Sequence, residues 1–412
     1  MSGMSLLRSK LEAYVTQASE ALEFKMVRQR TDIDDSSAIF HPEFTHQVFG
    51  DNESIFGYKD LQVQLYYTAG SLTTYLGMQY SEKIDSRKFE GVEPDNVVVQ
   101  IADKLQPGFL SNLDDFILKL EKDANFIPHG TKLDVFISKS DNNVSRQFEI
   151  YQTDISAPGF KDYHERLQTF VLWYIDGASF IDIDDERWKF FTVYEKFAAD
   201  CESQYAFVGY ASIYHYYAYP NRIRPRISQL LILPPFQKLG IGTHMLQTIY
   251  NAYLHDGNIL NITVEEPSEG FTRLRDFVDT RNCLKLSNFQ NPKLEAGFTE
   301  EMAVEAQTQL KLNKKQARRV YEILRLHATD RQDKEQYRKY RLEVKRRLNL
   351  PFQKQQADLA KLQKTLKPEE LRATLNHTSQ DQRLEQLEHQ YRELETEYEH
   401  VLERLAASDL GT

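Results

Sequence analysis

The sequence predicts an α/β protein that ends in a purely helical region, and three observations carry that prediction. Between about residues 36 and 290, apolar runs of period two alternate with runs of helical spacing. One strand-like run, "RISQLLIL" (226–233), leaves through Pro234 and Pro235 into a turn with two glycines and then a helical pattern. After about residue 290 glycine is confined to Gly297 and Gly411, and charge is dense.

The 412 residues are enough for several domains. The pattern divides them into a mixed α/β N-terminal domain (1–130), a central domain (131–280), a helical domain (281–350) and a charged heptad-bearing tail (351–412). Apolar residues make up 41% and aromatic residues 12%, so most of the chain should fold. A net charge of −10 disfavours general nucleic-acid binding and suits a basic partner. Two distant cysteines, Cys201 and Cys283, do not form a disulfide framework and point to a reducing compartment. The start, "MSGMSLLRSKLEAYV", lacks a signal-peptide core, and no apolar run is long enough to span a membrane.

In order, residues 5–26 have Leu7, Leu11, Val15 and Leu22 near helical spacing and predict a helix. "DLQVQLYYTAGSL" alternates as a strand, and "LSNLDDFILKLEKD" puts Leu113, Phe116, Ile117 and Leu120 on one helical face. "KLDVFISKS" and "RQFEIYQTDI" read as strands, "YHERLQTFVLWYI" as a helix, and "YAFVGYASIYHYYAY" (205–219) and 226–233 as successive strands. The helix 242–254 buries Met245, Leu246, Ile249, Tyr250 and Tyr253; "NILNITV" (258–264) is a strand and "SEGFTRLRDFV" a helix. Helices follow near 299–311, 314–327 with Asn313 as N-cap, and 331–349, ended by Pro351. Leu384, Leu387, Tyr391, Leu394, Tyr398, Val401 and Leu405 form a heptad seam that packs on its own domain or on a second chain.

The glycine turn is the most informative stretch. Gly240 and Gly242 stand where a strand gives way to a helix, whose first N–H groups lack partners and whose dipole attracts anions. A P-loop would need Gly-Lys-Ser/Thr, which is absent, and a dinucleotide fingerprint would need glycine where Met245 stands. The run Gln237, Lys238, Leu239, Gly240, Ile241, Gly242 instead matches Gln-x-x-Gly-x-Gly, the pyrophosphate loop of the Gcn5-related N-acetyltransferases (GNAT).

Beyond the loop, "HPEFTHQVFG", "YHERLQTF", "ASFIDIDDERW", "YPNRIRPRISQLLILPPFQKLGIG", "ITVEEPSEGFTRLRDFVD" and "ARRVYEILRL" resemble the type B histone acetyltransferase catalytic subunits. The resemblance implies a GNAT fold with splayed parallel strands in the central domain. It implies acetyl-coenzyme A held by the backbone of Leu230, Leu231 and Ile232 and by the loop Gln237, Lys238, Leu239, Gly240, Ile241, Gly242 and Thr243. Pro267 and Ser268 would flank it. It further implies free histone tails as substrate, mainly that of histone H4 and also that of histone H2-A. A WD-repeat histone chaperone as partner, and residence in nucleus and cytoplasm, follow from the same resemblance.

Acetyl transfer to lysine needs a neutral amine, and only about one lysine in 2,500 is neutral at pH 7. A carboxylate must take the proton. "TVEEP" supplies Glu265 and Glu266 at a predicted strand end, where alternation would turn one towards substrate and partial burial would raise its pKa. The resemblance favours Glu265, with Glu266 and Asp176 also eligible; Asp176 stands where the family often has glutamate. A backbone N–H within Leu230–Ile232 would stabilise the developing oxyanion. The two cysteines have no base partner and read as structural.

Asp182, Asp184, Asp185, Glu186 and Trp188 suit a lysine-rich tail, and the resemblance assigns Trp188 and Tyr214 to the tail groove. The eleven histidines lack metal-ligand spacing, so no metal is expected. "KKQARR" (314–319) reads as a solvated helix face or an import signal. Two other functions fit parts of the pattern: a small-amine acetyltransferase, and a non-catalytic histone-binding scaffold.

Overall fold

A computed structural model describes residues 11–87, 89, 91–139, 144–199, 202–362 and 380–409. The chain forms two compact units, Met1–Asn251 and Ala252–Thr412.

The first unit opens with a three-stranded sheet. Strand β1 (Leu22–Val27) runs parallel to β2 (Gln62–Thr68), which pairs antiparallel with β3 (Thr74–Gln79). This corrects the helix expected over 5–26. Residues 5–10 lie outside the described residues; Leu11 and Glu12 are helical as expected, but beyond a turn at residues 13–14 the chain is a short strand, Val15–Gln17, a single helical turn, Ala18–Ala21, and β1. "LEFKMV" is buried at five of its six positions, and a fully buried strand carries no period that separates it from a helix. Phe24 packs among Phe40, Tyr67, Trp173 and Tyr174. Helix α1 (Leu113–Asp123) is capped by the Asn112 carboxamide and lays Phe116 and Leu120 on Val27, Tyr66 and Tyr75.

The larger sheet of this unit takes five consecutive antiparallel strands: β4 (Thr131–Lys139), β5 (Ser145–Thr153), β6 (Trp188–Ala199), β7 (Glu202–Ala218) and β8 (Arg222–Ile232). Helix α2 (Phe160–Leu167) buries Phe160, Tyr163 and Leu167 and continues through a tighter turn into Val171–Tyr174. Residues 188–199, given no element from sequence, form β6 because both their neighbours are strands that satisfy their backbone. Helix α3 (Ile241–Leu254) starts at the glycine turn, and the five residues expected on its inner face are buried.

In the second unit the expected strand 258–264 shrinks to Thr263–Val264. Lys311 replaces the ladder: its carbonyl accepts from the Ile262 N–H at 2.8 Å, and its ammonium donates to the Ile259 carbonyl at 3.2 Å. Among the described residues five α-helices follow: α4 (Glu269–Cys283), α5 (Glu300–Leu310), α6 (Lys314–Ala328), α7 (Lys334–Leu362) and α8 (Gln380–Asp409). Asn313 caps α6 as expected, accepting from the Gln316 N–H at 2.9 Å. Pro351 does not end α7, which runs on to Leu362. The proline removes one backbone donor, but it is exposed, so water can serve the group left over. Pro368 and Gly411 lie outside the described residues.

The heptad seam is buried from Leu387 to Leu405, and α8 packs on α4, α6 and α7; Leu384 alone of the seam is exposed. Buried carboxylates lock this packing. Glu322 takes both arms of the Arg347 fork at 2.5 and 2.7 Å and the Tyr398 hydroxyl at 2.8 Å. Arg319 joins Asp276 to Glu397, each at 2.6 Å.

Candidate active site

The glycine turn is built as an anion cradle. Lys238 and Gly240 both have positive φ, 62° and 76°, which turns the chain sharply between Pro234–Phe236 and α3. A Cβ on Gly240 would meet nothing within 4 Å, so glycine serves there for its conformation and leaves the approach to the backbone open. Of the first N–H groups of α3, those of Thr243 and His244 donate to the Gly240 carbonyl at 3.0 and 3.2 Å, and those of Ile241 and Gly242 have no acceptor within the helix. Gln237 ties the turn to the strand before it, its amide donating to the Ile232 carbonyl at 3.0 Å. No aspartate or glutamate occurs between Glu202 and Asp256, so the strand, turn and helix are free of acids in a chain that has 61. These features fit a pyrophosphate, and the backbone of Gln237–Thr243 would hold that of acetyl-coenzyme A.

Residues that the sequence pattern did not single out hold this cradle in place. Asp134, Phe136 and Ser138 alternate along β4 and share one face. The Ser138 hydroxyl donates to the Leu239 carbonyl at 2.7 Å. Phe136 stacks flat on His244, with ring centroids 3.9 Å apart and planes within 2°. Thr248 donates to Asp134 at 3.2 Å. The period-two pattern was visible in "KLDVFISKS"; the partner of its polar face was not.

Strand β8 presents the expected backbone. Leu230, Leu231 and Ile232 lie opposite Ala211, Tyr210 and Gly209. A Cβ at Gly209 would stand 2.3 Å from the Leu231 carbonyl, so only glycine permits this approach. The Leu233 N–H donates to the Val208 carbonyl at 2.9 Å. Antiparallel alternation then directs the Leu231 N–H to β7 and the Leu230 and Ile232 N–H groups to the other edge of the strand.

The acidic stretch is less negative than its composition implies. Asp184 pairs with Lys161 at 2.6 Å. Asp185 binds both arms of the Arg187 fork at 2.9 and 2.7 Å and accepts from the Tyr214 hydroxyl at 2.9 Å. The Arg187 hydrogen bonds hold the Asp185 carboxyl well below the usual carboxylate range. Asp182 accepts from the Asp184 N–H, and Glu186 is exposed. Trp188 and Tyr214 are directly opposed across β6 and β7, edge to face at 4.9 Å, and Tyr216 extends the row at 4.6 Å from Tyr214. Asp185 therefore works chiefly as the clamp that orients Tyr214. Asp176 is exposed and stands 3.4 Å from His46.

In the second unit, Glu265 and Glu266 follow the end of Thr263–Val264 and are exposed. This corrects two expectations: strand alternation does not sort the pair, and neither is partly buried. Glu266 instead adopts a φ of 31° immediately before Pro267, so the chain reverses there. The Ser268 hydroxyl caps α4, accepting from the Phe271 N–H at 3.2 Å, and Pro267 is exposed. Cys283 is buried and its thiol pKa is raised by that burial; Cys201 lies outside the described residues. Among the described residues no His, Cys, Asp and Glu group could hold a metal ion, and no helix is long and apolar enough to cross a membrane.

The strand, glycine turn and helix define an acetyltransferase of the GNAT class, and the "Acetyltransferase (GNAT) family" model matches residues 153–274. On either side, "Histone acetyl transferase HAT1 N-terminus" matches 14–176 and "Histone acetyltransferase type B catalytic subunit, C-terminal" matches 275–326. The rat and human histone acetyltransferase type B catalytic subunits are each 47% identical over 403 residues, covering 98% of this chain and 96% of theirs. That of Mycosarcoma maydis is 36% identical over 340 residues, 75% of each chain. The chain belongs to the family of histone acetyltransferase type B catalytic subunits. It is an acetyltransferase of histones, an activity consistent with acetyl-coenzyme A-dependent transfer to lysine.

Proposed function

We propose that this enzyme acetylates lysine ε-amines in the tails of free histones, mainly histone H4, by direct attack within a ternary complex. Acetyl-coenzyme A supplies the activated acetyl group as a thioester. The observation that carries the reading is the cradle of Gln237–Thr243, free of acids, fixed by Ser138 and Phe136, and adjoining the strand end Leu230–Ile232. In this reading the Leu230 or Ile232 N–H stabilises the charge that develops on the acetyl oxygen. Glu265 takes the proton from the lysine, directly or through water, and Glu266 and Asp176 are the other eligible acids. The histone tail lies along Trp188 and Tyr214, whose apolar faces cover the alkyl stems of lysine.

Two further parts of the reading rest on the family alone: a WD-repeat histone chaperone as partner, and work in both nucleus and cytoplasm. A competition assay tests substrate choice. With labelled acetyl-coenzyme A, an H4 tail peptide is expected to take the label in preference to equimolar spermidine. Preference for spermidine would replace this function with small-amine acetylation. Histone binding without transfer or coenzyme binding would leave a scaffold.

A further inference from the structure

The first unit holds a cavity of about 400 Å³, built by elements that the acetyl-transfer reading does not use. The segment Leu105–Leu110 forms one wall, anchored where Leu110 exchanges backbone hydrogen bonds with Thr74 and Leu76, both at 2.8 Å. Helices α1 and α2 contribute four charged side chains to the lining: Lys119, Asp162, Glu165 and Arg166. Among the described residues, none of the four has an ion-pair partner within salt-bridge distance.

Arg166 is held rigidly. The Asp123 carboxylate accepts from the Gly70 and Ser71 N–H groups at 2.7 and 2.8 Å and from the Thr68 hydroxyl at 3.1 Å. The Ser71 carbonyl fixed in this way accepts from Arg166 Nε at 2.9 Å. One of the five guanidinium donors is thereby used. The side chain is half-buried, and burial lowers its pKa against the opposing pull of the Asp162, Glu165 and Asp123 carboxylates. A preorganised guanidinium at a cavity wall recognises a carboxylate.

The charges also limit the ligand. A simple anion would face Asp162 and Glu165, and a simple cation would face Arg166 and Lys119. A molecule with both charges satisfies each pair. Leu105, Phe109 and Leu110 add an apolar wall.

We propose that this cavity binds a free α-amino acid with an apolar side chain, its carboxylate on Arg166 and Lys119 and its ammonium on Asp162 and Glu165.

Isothermal titration calorimetry on the full-length enzyme tests this with L-leucine, L-methionine and L-phenylalanine as probes. Binding of at least one is expected. N-acetyl and carboxamide derivatives of that amino acid should bind at least about tenfold more weakly, because each lacks one charge. Glu165→Gln and Lys119→Ala alter side chains at the cavity rim, and circular dichroism checks that both variants fold. Each should weaken the zwitterion about fivefold or more, on the scale of one charge-assisted hydrogen bond, while histone acetylation is unchanged. Absence of binding by all three probes at millimolar concentration overturns the proposal. So does equal binding of the capped derivatives, or wild-type affinity in both folded variants.

Discussion

Single residues set the chemistry of this site by conformation and by pairing. Gly240 has open space around it but a φ of 76°, so the cost of a side chain there is conformational, about 1–2 kcal/mol. Gly240→Ala should raise KM for acetyl-coenzyme A several-fold and lower the melting temperature by a few degrees, measurable by initial rates and calorimetry. An unchanged KM would remove the turn from coenzyme binding. Asp185 makes a different prediction from the one its charge suggests. Because it is neutralised by Arg187 and orients Tyr214, Asp185→Asn should keep most tail affinity, whereas Trp188→Ala should raise KM for an H4 tail peptide about tenfold or more. Peptide titrations of the two variants compare them directly, and the reverse order would make charge the recognition device. The Gln-x-x-Gly-x-Gly residues were legible in sequence because spacing along the chain alone defines them. The neutralisation of Asp185 was not, because the Tyr214 hydroxyl reaches it from a strand 29 residues away.

At the scale of elements, strand β4 is the support on which the cradle depends. Ser138→Ala removes the hydrogen bond to Leu239, and Phe136→Ala removes the platform under His244. Both should weaken acetyl-coenzyme A, by about tenfold for Phe136→Ala, while kcat at saturation changes less than about threefold. A loss confined to kcat would show that β4 acts on the chemistry and not on coenzyme binding. Most elements could be read from period: β2, β4, β5, β7, β8 and the helices α1, α3, α4 and α6 fall where their apolar spacing put them. The errors share a cause. β1 is buried on nearly every residue, and 259–262 is bonded by Arg275, Gln307 and Lys311 from the helices beside it, so tertiary partners decided both. Pro351 shows the same override in a helix that continues past its strongest local stop signal.

At the scale of the whole molecule, stability is distributed between the two units in different ways. The second unit depends on the α8 seam. Leu394→Asp should therefore unfold that unit, seen as lost helical circular dichroism and protease sensitivity, and would not merely dissociate a dimer. The seam itself was plain in sequence; whether it packed on its own chain was not, because heptads specify a face and not its partner. The first unit carries His164, fully buried between Phe160 and Phe190, and among the described residues neither ring nitrogen has a hydrogen-bond partner. Burial lowers its pKa from 6.5 to about 4. The unfolded chain then takes a proton that the folded chain refuses, so stability should fall as pH drops from about 6.5 towards 4, by roughly 3 kcal/mol in all. Urea midpoints at about pH 7.5 and pH 5 measure this, and His164→Phe should lose that part of the slope. A slope identical in the two proteins would show that His164 does not remain neutral in the fold.

In the proposed reaction this chain transfers acetyl to histone lysine with Glu265 as base. Label transfer from radioactive acetyl-coenzyme A to free histone H4, compared between wild type and Glu265→Gln, tests it most directly. Strong transfer by the wild type is expected, with a loss of about a hundredfold or more in the variant and coenzyme binding intact. Equal transfer by both proteins would contradict Glu265 as the base and turn attention to Glu266 and Asp176. No transfer by the wild type with coenzyme bound would contradict H4 as the substrate.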